Sequence, residues 1–430
     1  MGSYTEVSVA RYPLISSKSA VIPEIMTVFR ETDKKVYERR LGDRNPLVWG
    51  EFISPDADRL EIAIEYSCET WKVIDRLNAM GFSLSRAEIE FELGRNAELE
   101  TYKSYAEDRP TACLFADHVA FLQSLTLEAY MIALRTVMDM GLRGYPFDDH
   151  KRTGLSPVVE YILKDSGFSL GFPGDLHSLL RIACEVSAPD SSVVQDITEL
   201  VHGGYYAEDD PVCENETRAL VAGHPEYSHR IILTEGSSDR WILKQSLALL
   251  YPHMEGYYSF LDFETSRSQG GSGHLVLLIK SLAAAGITNR IIALFDNDTA
   301  AKEAKRSLSH VQLPGNIVVQ SYPDLAQLQN YPTLGPTGTV NFNVNGLAAS
   351  IELYLGDDVL RKTCGDLTPI QWKGYNETLD QYQGEVMHKT QLQEKFKSKV
   401  QNALADSSLV AKQDWSGLSA ILQQVFSAFD

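Results

Sequence analysis

RIILTEGSSD at residues 230–239 and RIIALFDND at residues 290–298 decide the fold of the second half of this chain. In the first, Ile231-Ile232-Leu233-Thr234 runs into Glu235; in the second, Ile291-Ile292-Ala293-Leu294-Phe295 runs into Asp296. Unbroken apolar runs of this length are the mark of strands covered on both faces. Moving outward, a helical pattern extends to residue 250, YYSFLDF follows at 257–263, and helical patterns fill 272–285 and the stretch up to 308. NIVVQSY closes the series at 316–322. Strands alternating with helices predict βα units and a mostly parallel sheet.

In an open parallel sheet, functional groups gather at the carboxyl ends of the strands. Glu235 and Asp296 both fall there. Asp298 follows Asp296 where the chain leaves the strand, and Asp239 falls in the first turn of the helix after Glu235. Such a group of carboxylates repels itself unless a cation intervenes, and hard oxygen ligands suit Mg²⁺ or Mn²⁺. One acidic residue before a helix is commonly a cap. Two strand ends with the same feature, one a tight DxD, favour a metal. A phosphatase-type DxDx[TV] loop fits less well, because Thr299 falls one place early, Ala300 stands at the Thr/Val position and such a loop opens its domain.

The first half has a different pattern. Residues 1–54 carry β-prone stretches at 4–12 and 47–53 and read as a small β element. From residue 56 the pattern turns helical: Leu60, Ile62, Ile64, Trp71, Val73, Ile74, Leu77 and Met80 recur at helical spacing, with Gly81 as the cap. Further helices are expected over 83–105, 116–140, 157–164, 175–186 and 193–201. Residues 202–228 break every period and place a boundary there. The expected organisation is a β-rich element over 1–54, a helical module over 55–204, a linker over 205–228, a metal-binding α/β domain over 229–365 and a helical extension over 366–430.

At 430 residues, 44% hydrophobic and 23% charged, the composition is that of a globular chain of two or more domains. No apolar run reaches the length of a membrane helix, and MGSYTEVSVARY lacks the basic and apolar regions of a signal peptide, so a cytoplasmic protein with no membrane contact is expected. The five cysteines form no CxxC pair and suggest neither disulfides nor zinc. A net charge of -19 opposes coating of nucleic acid by bulk electrostatics, although local cations and a metal would still permit a nucleic-acid enzyme. Lys389, Lys395, Lys397 and Lys399 form one basic stretch, read as a solvated helix face.

EGxxD followed after two βα units by DxD resembles the TOPRIM domain of topoisomerases, primases, recombination proteins and OLD-type nucleases. The resemblance implies a Rossmann-like sheet, Glu235 as acid/base group or shared metal ligand, and Mg²⁺ or Mn²⁺ on Asp296 and Asp298, with Asp239 as ligand or orienter. Gly270-Gly271-Ser272-Gly273 is similar to the glycine loop of OLD-type nucleases, and Asn345 to Glu352 puts Glu352 where those proteins carry another acidic residue, the candidate for a second metal. With MGSYTEVSVARY, the segment IDRLNAMGFSLSRAEIEFE at 74–92 and the block from YPTLGPTGTV to WKGY, the chain resembles HEPN/TOPRIM proteins.

That family implies a nuclease acting on RNA or DNA, set in a prokaryotic defence or stress system, with a homo-oligomer formed through the helical module and a possible defence partner. A binding scaffold and a phosphoester phosphatase are the competing functions. The R-x(4–6)-H motif of HEPN ribonucleases is met by Arg143 to His150, Arg218 to His224 and Arg267 to His274, all in poor contexts, and His202 stands without its Arg. The module therefore reads as degenerate. Lys280, Arg290 and Lys302 are the candidate cations for charge relief at the metal site.

Overall fold

The computed structural model describes residues 3–49, 56–107, 113–143, 154–164, 170–223, 227–261, 270–336 and 338–429. The chain divides into two compact units, Met1–Tyr227 and Ser228–Phe429. Helix and strand are mixed in both. Among the described residues, no helix is long and apolar enough to cross a membrane.

The first unit holds a five-stranded antiparallel sheet made of β1 (Tyr4–Val9), β2 (Tyr12–Lys18), β3 (Lys34–Arg40), β4 (Leu60–Glu69) and β5 (Ser192–Asp196), in the order β2-β1-β5-β4-β3. Helices Thr70–Met80, Leu84–Glu107, Cys113–Ser124, Leu127–Met140, Pro157–Lys164 and Leu176–Glu185 make up the helical part. Gly81 caps the first of these in the left-handed conformation, at φ 83°.

Several sequence expectations are corrected here. Leu60, Ile62 and Ile64 lie on a strand, since a spacing of two is also strand alternation and β4 pairs along its length with β3, Val36 facing Ile64. Residues 1–54 are not a separate β element, because β1 pairs with β5, which lies far along the chain. The helix expected over 116–140 is two helices. Thr126 breaks it, its side chain accepting from the Ala129 backbone N–H at 3.2 Å. The stretch 193–201 is strand β5 followed by the short helix Thr198–His202, and the expected linker contains helix Val212–Gly223. The β-prone stretch at 47–53 lies largely outside the described residues.

In the second unit, β6 (Arg230–Leu233), β7 (Tyr258–Phe260), β8 (Ile291–Phe295) and β10 (Ile317–Ser321) form a parallel sheet in the order β10-β8-β6-β7. Strand β8 is wholly buried. Each large apolar side chain so covered contributes roughly 2 kcal/mol, which makes this central strand a firm base for whatever follows it. Helices Ser272–Ala284 and Thr299–Arg306 cover one face, with Leu275, Ile279 and Ala301 packed on Ile291, Ala293 and Phe295.

Two short strands, β9 (Asn297–Asp298) and β13 (Ala348–Ala349), pair antiparallel just beyond the end of β8. A further sheet has the order β12-β11-β14-β15, built from β11 (Tyr331–Gly335), β12 (Gly338–Phe342), β14 (Ile370–Asn376) and β15 (Gln381–Val386). The region 366–430, expected to be helical, thus begins with a β hairpin. Helices Lys389–Ala405 and Ser416–Phe426 follow it.

Candidate metal centre

Chain order and spatial order part company between β6 and β8. From β6 the chain moves to β7 on one side, then returns to β8 on the other, so the crevice between β6 and β8 is a topological switch point. Their register sets Ile231 beside Ile291 and Leu233 beside Ala293. The residues leaving the two strands therefore emerge side by side. The Asp296 backbone N–H donates to Glu235 Oε1 at 2.9 Å, fixing the two acidic residues against each other.

Asp239 is buried in the first turn of helix Ser237–Leu250, where Oδ2 accepts from the Gly236 backbone N–H at 3.1 Å. Asp298 caps helix Thr299–Arg306, Oδ1 accepting from the Ala301 N–H at 2.7 Å. The capping roles are real, and each leaves the second carboxylate oxygen for another task. Glu352 arrives through β13, in which Ala348 pairs with Asp298. It is buried at 3% exposure in the short turn Ile351–Tyr354, with Oε2 accepting from Ser350 Oγ at 2.7 Å and Oε1 from Gln393 Nε2 at 2.9 Å. The glycine loop leans on the same place: the Gly271 N–H donates to the Glu235 carbonyl at 2.7 Å, and a Cβ on Gly270 would lie 3.1 Å from that oxygen.

Burial pushes the Glu235 and Asp239 carboxyls up to about 7, and neighbouring like charge adds to the effect in both. Asp296 rises well above its ordinary value through burial first, then the charges of Asp239, Glu235, Asp298 and Glu352. Burial raises Asp298 too. Asp296 Oδ1 and the Tyr322 hydroxyl are buried without a hydrogen-bond partner, and the charges of Asp239, Asp296 and Glu235 all bear on that tyrosine. Mutually destabilised carboxylates around an orphaned buried oxygen suit a hard divalent cation. The five carboxylates are loosely gathered, however: among the described residues, no three of them bring ligand atoms within 4.8 Å of one another. An ion would have to draw them inward.

The cations expected from sequence separate. Lys280 reaches Ser307 Oγ at 3.3 Å, away from the rim, and Arg290 precedes β8, at the wrong end of the sheet, over the Phe429 ring. Of these three, Lys302 is the one whose charge acts on Asp298. Sequence reasoning missed Lys389 and Lys305. Lys389 Nζ lies 3.8 Å from Glu352 Oε2 and 3.5 Å from Glu385 Oε1. Burial lowers its pKa, but the charges of Glu352, Asp296 and Glu385 outweigh that and hold it above its ordinary value. Lys305 bonds Ser321 Oγ and lies near Glu235 and Asp298. No local spacing announces Lys389, which follows a hairpin and was assigned to a solvated helix face. That face is not solvated at Lys399 either, which is 5% exposed and bonds the Leu355 carbonyl at 2.9 Å and Asp358 at 2.8 Å.

The first unit contains another group with metal-ligating side chains. Ligand atoms of Glu61, Glu199 and His202 lie within 4.8 Å of one another, which makes them a possible acidic metal site. Arg39 bonds Glu61 at 2.8 Å, and Arg44 bonds both Glu61 and Glu199, the latter at 2.8 Å. Two arginines already neutralise these carboxylates, so charge alone requires no ion there. Of the Arg/His pairs, His150, His224 and Arg267 lie outside the described residues. His202 ends a five-residue helix and is exposed.

An α+β unit joined in one chain to a parallel α/β unit with acidic groups at its switch point defines a two-module protein. Residues 1–219, half of the chain, match the family HEPN/Toprim N-terminal domain 1, and the chain belongs to that family. No curated protein and no solved structure matches it.

Proposed function

We propose that the chain is a Mg²⁺- or Mn²⁺-dependent nuclease, its second unit a TOPRIM domain that hydrolyses phosphodiester bonds of RNA or DNA. The observation that carries this reading is Asp296: a strand-end carboxylate with a buried, unpartnered oxygen, among four other carboxylates. Asp296 and Asp298 would hold the principal ion, Asp239 would act as ligand or orienter, and Glu352 would serve a second ion. Bound there, the metal supplies charge relief at the phosphate and an activated water.

The chain's own residues account for the rest. Glu235, raised toward neutrality and fixed by the Asp296 N–H, is suited to accept a proton from the attacking water. Lys389 places a positive charge among the carboxylates and would add charge relief at a phosphate bound there. The family pairing of HEPN with Toprim supports nuclease chemistry. A defence or stress role, a homo-oligomer through the helical module and a partner protein are proposals resting on the family resemblance.

Purified full-length protein with Mg²⁺ or Mn²⁺ is expected to cut transfer RNA, single-stranded RNA or plasmid DNA. Glu235→Ala or Asp296→Ala should reduce cutting by at least about a hundredfold, as expected when a principal catalytic group is lost. Calorimetric binding of Mn²⁺ without cleavage of any of these would favour a scaffold. Hydrolysis of a chromogenic phosphate ester that survives loss of Glu235 would favour a phosphatase.

A further inference from the structure

The sheet β12-β11-β14-β15 carries a row of aromatic side chains at its surface. Phe342 meets Trp372 at 5.7 Å between ring centroids, Trp372 meets Tyr382 at 5.8 Å, and Tyr382 meets Tyr375 at 5.2 Å. Tyr375 and Tyr382 are direct cross-strand partners on β14 and β15. An apolar cluster of this size would ordinarily be buried. Here Phe342 is 49%, Tyr375 49% and Tyr382 56% exposed. The rings meet at steep angles, 89°, 55° and 68° between planes, rather than lying flat on one another.

This row adjoins the metal centre. Thr299, next to Asp298, donates through Oγ1 to the Tyr382 carbonyl at 2.7 Å. Gly384, two residues on, sits against Ala348 of β13, the strand paired with Asp298. Cations lie close by in a chain that is acidic overall. Helix Thr299–Arg306 brings Lys302, Lys305 and Arg306, the last bonding the Thr378 carbonyl in the β14–β15 turn at 3.4 Å. Lys373 on β14 is 53% exposed in its side chain and pairs with Glu385 at 3.3 Å.

We infer that Phe342, Trp372, Tyr382 and Tyr375 form a stacking platform for unpaired bases, so that the substrate is a single-stranded nucleic acid whose backbone passes from the ring ladder to the carboxylates. The inference rests on the nuclease reading of the adjoining site for the direction it gives the strand. Every base has a π-face, and exposed rings beside lysine and arginine bind single strands with little regard to sequence. Bases stacked inside a duplex offer no free face to such a row. The sugar is not read by stacking, so RNA and DNA single strands are both accommodated.

The test measures binding of labelled oligouridine, oligothymidine and a mixed-sequence duplex to the full chain, with Ca²⁺ in place of Mg²⁺. Tyr382→Ala should weaken binding of both single strands about tenfold, within the range produced by losing one base–aromatic stack. Tyr382→Phe, which keeps the ring, should restore it, and duplex binding should be unchanged in both variants. Equal losses for duplex and single strand, or no loss at all, would overturn the platform. So would a change in sedimentation mass in Tyr382→Ala without a change in affinity, which would mark the face as an interface between copies. Wild type that fails to cut with Mg²⁺ or Mn²⁺ while the ring-dependent preference persists removes the nuclease reading alone. Cutting that is indifferent to the ladder removes the platform alone.

Discussion

Asp296 follows a fully buried strand, and one of its oxygens has no partner. A metal turns that oxygen into a ligand; without metal it is a source of instability. Because its carboxyl is held well above the ordinary value, the fold favours the protonated form. The stability this group contributes is full below the ordinary carboxylate range and is lost as pH rises through the raised value. Asp296→Asn should therefore stabilise the metal-free protein at pH 8 by ~1–3 kcal/mol, with a smaller gain at pH 5, while abolishing the response to Mn²⁺. Thermal unfolding in chelator at both pH values checks it, and a destabilised variant at pH 8 would show that the oxygen is better solvated than its burial implies. Glu235, Asp239, Asp296 and Asp298 were legible in the sequence because each stands at or just after a strand end. Lys389 was not, since the contact that defines it spans the distance from Glu352 to the helix after the hairpin.

At the level of elements, the centre depends on how the β14–β15 hairpin seats on β13. Gly384 makes that seat: a Cβ there would lie 2.5 Å from Ile370 Cγ2 and 2.9 Å from Ala348 Cβ. Gly384→Val should push the hairpin off β13, the strand paired with Asp298 and followed by Glu352. The expected cost is ~1–3 kcal/mol in the second unit, the usual range for overpacking, together with weaker Mn²⁺ binding by calorimetry. Normal metal affinity in this variant would show that β13 is held without the hairpin. Sequence patterning read β6, β8 and β10 correctly because buried parallel strands are continuous apolar runs. It misread β4 because Leu60, Ile62 and Ile64 fit either period until β3 and β5 supply partners.

For the whole molecule, two compact units predict two separable unfolding events. Differential scanning calorimetry of the full chain should show two transitions, of which excess Mn²⁺ raises only one. A hundredfold excess over Kd would stabilise that unit by ~2.7 kcal/mol. The other transition should respond to pH through Glu6, whose carboxyl is pushed up from 4.5 to about 8 by burial first and the Asp196 charge second. Its contribution is present below pH 4.5 and lost as pH rises through about 8, so this transition should fall over that window and Glu6→Gln should flatten the fall. A single transition that moves with both perturbations would show the units to be thermodynamically one.

Local order determined what the sequence could show by itself: alternating strands and helices in the second half, acidic residues at two strand ends, a boundary near residue 228, and the likeness to HEPN/TOPRIM proteins. These are properties of neighbours along the chain, set by side-chain period and backbone preference. Only the tertiary structure decided the five-stranded sheet that joins β1 to β5, the β13 pairing that carries Glu352 to the carboxylates, the arrival of Lys389 beside it, and the aromatic row. Each depends on segments far apart in sequence meeting in space, and no local period encodes such a pairing.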